Sequence, residues 1–203
     1  MNPLITVISR VVVSLVLASL TAPSIAHHPG GTNERLTEVG PAADIILTAQ
    51  DGNRFSLDQT RGKVVAVSFT FTKCADTCPM LTSTMVSLQN ELGRDFGAEV
   101  FFVTITMDPE TDRPEVLERY ADALGCDLRG WVFLTGTEPE IQKVAREYGV
   151  FRRKREEGEV DHTQLTSIID RTGTTRVQYI GNRFNPQEFL HDLKLLIDED
   201  GPA

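Results

Sequence analysis

The stretch Val64-Val65-Ala66-Val67-Ser68-Phe69-Thr70-Phe71 constrains this chain more than any other. Its apolar residues do not alternate strictly with polar ones. A run of this kind reads as a strand covered on both faces, which requires a sheet with helices on each side. Val100 to Thr106 repeats the pattern, and Trp131-Val132-Phe133-Leu134 gives a shorter version. The segments between these strands read as amphipathic helices. The first starts around Cys78 or Pro79 and places Leu81, Met85, Leu88 and Leu92 on one stripe until Gly93 stops it. Asp112 as cap, Pro114 in the first turn and Glu115 open the second, with Leu117, Tyr120 and Leu124 facing inward. Thr137 to Glu140 forms a capping box for the third, whose inner face is Ile141, Val144, Ala145 and Tyr148.

The flanking segments complete the pattern. Ile45 to Leu47 and Phe55 to Leu57 read as a hairpin turned at Asp51-Gly52. Leu165 to Ile169 and Thr175 to Ile180 read as two strands joined at Arg171-Thr172-Gly173. Asn185, Pro186 and Glu188 open a last helix with Leu190, Leu193 and Ile197 inward. The charge run Arg152 to Glu157 reads as part of a solvated loop spanning 152–161. The order is hairpin, then β-α-β-α-β-α, then β-β-α. This predicts an α/β protein with a thioredoxin-like fold, in which an N-terminal β-hairpin joins a central mixed sheet flanked by helices. No internal repeat and no second domain is visible.

The 203 residues suffice for one domain with its own core. Arg10, the apolar run Val11 to Leu20 and the small-residue end Ser24-Ile25-Ala26 read as a secretory signal peptide. The run is short of the roughly 20 residues of a membrane span. The alternative is that 1–26 stays on as an anchor. Residues 27–43 read as a flexible lead-in, 44–198 as the domain and 199–203 as a tail. This assigns the protein to an exported, periplasmic location, soluble or anchored through that segment. A net charge of -9 argues against nucleic acid, whose phosphates need clustered Lys and Arg. An acidic surface suits a basic protein partner.

Lys73-Cys74-Ala75-Asp76-Thr77-Cys78-Pro79-Met80 carries the chemistry. It follows the first core strand and opens a helix, at the sheet edge where open α/β folds place their sites. A spacing of four puts both sulfurs on one side of a turn. The first-turn amides around Cys78 are expected to favour a thiolate there. Three chemistries fit the pair: a soft metal held by thiolates, a thiol–disulfide oxidoreductase, or an inert structural disulfide. Redox proteins of the thioredoxin type use a two-residue spacer; the three-residue spacer here leans toward metal. His162 precedes the strand that, in this fold, lies beside the Cys loop. Two sulfurs and an imidazole suit Cu(I), and a weak further ligand would accommodate Cu(II). Asp161 is a candidate support for His162. Asp108, after the neighbouring core strand, is a candidate hydrogen-bond acceptor or simply an Asp-Pro turn. Cys126, at a helix end, reads as a buried thiol. His27 and His28 would head the mature chain after cleavage.

These residues resemble the SCO/SenC copper chaperones of cytochrome oxidase assembly. The resemblance covers most of residues 40–198. It rests on Phe69-Thr70-Phe71-Thr72-Lys73-Cys74, Cys74-x-x-x-Cys78-Pro79, Thr106-Met107-Asp108-Pro109-Glu110-Thr111-Asp112, Tyr148 to Lys154 and Asp161-His162-Thr163. Ala75 stands where the family often has proline. The resemblance implies copper held by Cys74, Cys78 and His162. It implies delivery of that copper to the dinuclear copper site of a cytochrome c oxidase subunit, or reduction of the thiols there. Another periplasmic copper protein is the alternative recipient, and the acidic surface would suit docking to a basic partner such as cytochrome c. The competing reading is an exported thiol–disulfide oxidoreductase.

Overall fold

The three apolar runs become β4 (Val64–Thr70), β5 (Val100–Thr106) and β6 (Trp131–Thr135), parallel to one another. The structure, a computed structural model, describes residues 36–74, 77–154, 160–181 and 184–199. Beside β4 run β9 (Leu165–Ile169), β10 (Thr174–Ile180) and the short β1 (Gly40–Pro41), each antiparallel to the one before. Beside β6 run β2 (Ile46–Ala49) and β3 (Arg54–Ser56), again antiparallel. The eight strands form one mixed sheet in the order β1-β10-β9-β4-β5-β6-β2-β3. With helices on both faces, this is the thioredoxin-like arrangement expected from the sequence.

The side-chain period of two divides β4 between two cores. Val65, Val67 and Phe69 pack with Ile141, Val144 and Ala145 of α3 (Glu138–Glu147). Val64 and Ala66 pack on the other face. Their partners include Leu81, Met85 and Leu88 of α1 (Thr77–Leu92), Leu117 and Ala121 of α2 (Pro114–Leu124), and Phe189 and Leu193 of α4 (Pro186–Asp198). Ser68 and Thr70 continue this second row under α1 and α2. Ser68 Oγ lies 3.0 Å from Thr104 Oγ1, which also accepts a 2.9 Å bond from the Trp131 indole. The Thr137–Glu140 capping box forms as expected: Glu140 Oε2 accepts from the Thr137 N–H at 2.7 Å.

Three local expectations are corrected. The expected loop 152–161 is bounded by a two-stranded ladder, β7 (Arg152–Lys154) against β8 (Val160–His162), with Arg152 opposite His162. Backbone pairing supplies this order without an apolar face. Asp112 does not cap α2. Arg113 is the N-cap and makes no side-chain cap bond, while Asp112 turns inward. Within the lead-in, Gly40 and Pro41 pair with Thr175 and Thr174. The expected leader 1–26, with His27 and His28, lies outside the described residues. Among the described residues no helix is long and apolar enough to cross a membrane.

Arg176 of β10 is fully buried and binds three elements. Its guanidinium pairs with Asp170 at 3.1 Å and with Glu199, after α4, at 2.7 Å, and donates to the Leu36 carbonyl. Removing the arginine leaves two half-buried carboxylates, Asp170 and Glu199, without their counter-charge. Arg176→Met is therefore expected to lower the unfolding free energy by about 3 kcal/mol, measured by urea denaturation.

Candidate metal centre

Three segments converge because β4 and β5 are parallel and β9 is antiparallel to both. Thr70 pairs with Thr106, and the Met107 N–H donates to the Thr70 carbonyl at 2.7 Å. Ser68 pairs with Thr166. The same sheet end therefore receives Phe71–Cys74 from β4, Met107–Asp112 from β5 and the residues leading into β9.

After β4 the chain turns through a 3.2 Å bond from the Cys74 N–H to the Phe71 carbonyl. Cys74 Sγ accepts the Cys78 N–H at 3.3 Å and lies 3.4 Å from the Thr77 hydroxyl. The two cysteines thus share one turn, as their spacing predicts, and none of the three cysteines is in a disulfide. Cys74 is half-buried, whereas Cys78 is 0% exposed on the inner face of α1. Here the sequence expectation is corrected. The amide at the start of α1 is directed at Cys74 rather than favouring a thiolate at Cys78. Burial instead pushes the Cys78 thiol up to about 11, against the opposing pull of Thr70 and the Phe71 backbone.

The third cysteine is buried as the sequence suggests. Burial, with the Asp122 charge adding to it, pushes the Cys126 thiol up to about 12. The metal-free protein should accordingly be alkylated at Cys74 first. At pH 8, with iodoacetamide and peptide mass mapping, Cys78 and Cys126 remain largely unmodified, because both sit buried and protonated. Labelling of Cys78 should rise only as the pH approaches 11.

The loop before Cys74 is anchored by Asp112, which is 0% exposed. Its carboxylate accepts the Thr72 N–H at 3.0 Å, the Thr72 hydroxyl, and the Thr106 hydroxyl at 2.5 Å. One side chain thus ties the β4 loop to the end of β5. Burial raises the Asp112 pKa, the two threonines oppose that rise, and the charge of Asp108 adds to it. Asp108 is itself buried. Its N–H donates to Thr106 Oγ1 at 3.0 Å, and its carbonyl accepts from Thr111 and Asp112 as the Asp-Pro turn forms.

His162 ends β8, immediately before β9. Its ring meets Phe71 edge-on at 5.9 Å between centroids. Nδ1 lies 3.2 Å from the Thr163 carbonyl, and Nε2 lies 3.2 Å from the Gln164 amide nitrogen. With that amide donating, Nδ1 carries the proton and Nε2 holds the lone pair, the state a metal ligand requires. The fold therefore brings Cys74 and Cys78 together and sets His162 beside Phe71 at the same sheet end. Among the described residues, no three His, Cys, Asp or Glu side chains close into a metal cage. The side chain of Asp161 lies outside the described residues.

Sequence reasoning missed two inward-facing groups, Asp112 and Thr70. Thr70 is 1% exposed, and its hydroxyl has no hydrogen-bond partner among the described residues. The period of two along β4 was the signal available for Thr70. It puts Thr70 on the row of Val64 and Ala66, beneath α1.

Comparison with known proteins gives consistent matches. The SCO1/SenC family model matches residues 42–198. The SCO1 protein homolog of Bacillus subtilis is 31% identical over 149 residues, covering 71% of this chain and 77% of that protein. Among solved structures, ScoI of Bradyrhizobium japonicum with copper bound superposes with a TM-score of 0.67 at 28% identity, covering 77% of this chain and 99% of that one. BsSco, a member of the Sco family of cytochrome c oxidase assembly proteins with a disulfide switch, superposes with a TM-score of 0.71 at 25% identity, covering 82% of this chain and all of that one.

Proposed function

Because the chain belongs to the SCO1/SenC family, we propose that it is a copper chaperone that holds one copper ion between Cys74, Cys78 and His162. One observation carries the reading: the Cys78 N–H bonds to Cys74 Sγ at 3.3 Å, so both sulfurs stand in one turn at the sheet end that also bears His162. Two thiolates and a neutral imidazole are a soft, low-coordinate set matched to Cu(I). The copper-bound relative from Bradyrhizobium japonicum supports the choice of metal. His162 would complete the set by exchanging the Gln164 contact at Nε2 for the metal. Asp112 holds the Cys74 loop in place, Asp108 acts on Asp112, and Asp161 is assigned a supporting place beside His162. The copper leaves by ligand exchange with thiolates of the recipient, the copper-bearing subunit of a cytochrome c oxidase. The protein works on the periplasmic side after export directed by residues 1–26.

The test is anaerobic transfer. Copper-loaded protein is mixed with the metal-free copper domain of an oxidase subunit, and formation of the recipient's copper centre is followed by absorption. Transfer by the parent and none by His162→Ala is the expected result. The bond from the Cys78 N–H to Cys74 Sγ, which keeps the two cysteines in one turn, also favours a second reading. Reduced Cys74 and Cys78 would pass two electrons and two protons to a partner disulfide and themselves become a disulfide. Equal reduction of an oxidised recipient by the parent and His162→Ala, with no copper moved by either, would establish that reading instead.

A further inference from the structure

Thr70 is the last residue of β4, and the strand's alternation points it at the face covered by α1 and α2. Cys78 is on the inner face of α1, and Tyr120 projects from α2 with its ring 6.1 Å from that of Phe133. Tyr120 Oη lies 3.2 Å from Thr82 Oγ1, which in turn donates to the Cys78 carbonyl at 3.0 Å. Three hydroxyls, of Thr70, Tyr120 and Thr82, therefore gather under one buried cysteine. Thr70 neighbours both Cys78 and Tyr120, yet among the described residues its buried hydroxyl makes no hydrogen bond. A buried hydroxyl without a partner is costly, and it needs a reason to be kept. Sulfur is a weak acceptor unless it carries charge, as it does when bound to a metal as thiolate.

We infer that Thr70 is a positioning residue for copper: its hydroxyl donates to the Cys78 sulfur once that sulfur is a copper-bound thiolate, and Tyr120 supports it from behind. The inference rests on the reading of Cys74, Cys78 and His162 as copper ligands. No bond is made or broken in this step; an idle donor acquires an acceptor. Such outer partners fix ligand orientation and tune the metal, and hydrogen bonding at a copper-bound sulfur sets its electron donation and the metal's potential.

The test compares the full-length parent with Thr70→Val, which keeps the shape and removes the hydroxyl, and with Thr70→Ser, which keeps the hydroxyl. Each is measured metal-free for thermal stability, and loaded with Cu(II) for its sulfur-to-copper charge-transfer band. Thr70→Val should be as stable as the parent or more so when metal-free. Its band should move to longer wavelength, and its Cu(I) affinity should fall about 10-fold. Thr70→Ser should restore the parent band. The two effects have opposite signs, which a purely structural role does not produce. A Thr70→Val band at the parent position overturns the inference and leaves the copper reading intact. A parent that shows no sulfur-to-copper band overturns both. If Thr70→Val does not fold, Tyr120→Phe decides: a shift in the same direction supports the inference, and an unmoved band overturns it.

Discussion

Cys78→Ser lowers Cu(I) affinity by at least about 100-fold, the upper end of what loss of a mere outer partner costs. Cys78 is 0% exposed and sits one turn from Cys74, so no water or neighbouring donor replaces it easily. A serine hydroxyl is hard, stays protonated and forms no comparable bond to Cu(I). The fold should survive, because serine is close to cysteine in size. Anaerobic competition with a Cu(I) chelator gives the affinity, and far-ultraviolet circular dichroism shows that the fold is kept. Affinity within a few-fold of the parent would remove Cys78 from the ligand set. The same burial gives the parent a pH dependence. Binding must displace a proton from a thiol raised to about 11, so copper binding weakens as the pH falls.

Asp112→Ala has the second large effect, and it falls on stability and copper binding together. The substitution leaves the half-buried Thr72 N–H and hydroxyl and the buried Thr106 hydroxyl without their acceptor. Each such group costs about 1–3 kcal/mol when unsatisfied, and partial relaxation makes a total loss of about 3 kcal/mol reasonable. The Cys74 loop loses its tie to β5, so Cu(I) affinity should fall roughly 10-fold as well. Asp112→Asn keeps one acceptor oxygen and should lie between the two. Urea denaturation and chelator competition measure these effects. Full stability in Asp112→Ala would show that the buried carboxylate does not anchor the loop.

What was legible in the sequence was local or periodic. The capping box at Thr137 and Glu140 needs only residues three apart, and it forms as read. The strands β4, β5 and β6 announce themselves because both faces are covered, and Met85 is core as its spacing requires. The turn that joins Cys74 to Cys78 follows from their spacing of four. The failures arose where long-range contacts decide. The pair of strands around 152–162 is mostly polar and, among the described residues, forms its own two-stranded sheet, so no hydrophobic alternation marks it. Asp112, just ahead of Pro114, has the look of a helix cap, yet Thr72 of the loop after β4 and Thr106 at the end of β5 both bind its carboxylate. Helix position alone suggested an ionised Cys78, but the packing of α1 on the sheet buries that sulfur and directs the amide at Cys74.

The central claim is the ligand set, and X-ray absorption at the copper edge tests it most directly. The full chain is reduced, loaded anaerobically with one equivalent of Cu(I) and compared with His162→Ala. The account predicts two sulfur scatterers and one nitrogen in the parent, with the nitrogen shell lost or exchanged in the variant. An all-sulfur shell in the parent, or a nitrogen shell unchanged in His162→Ala, would contradict it.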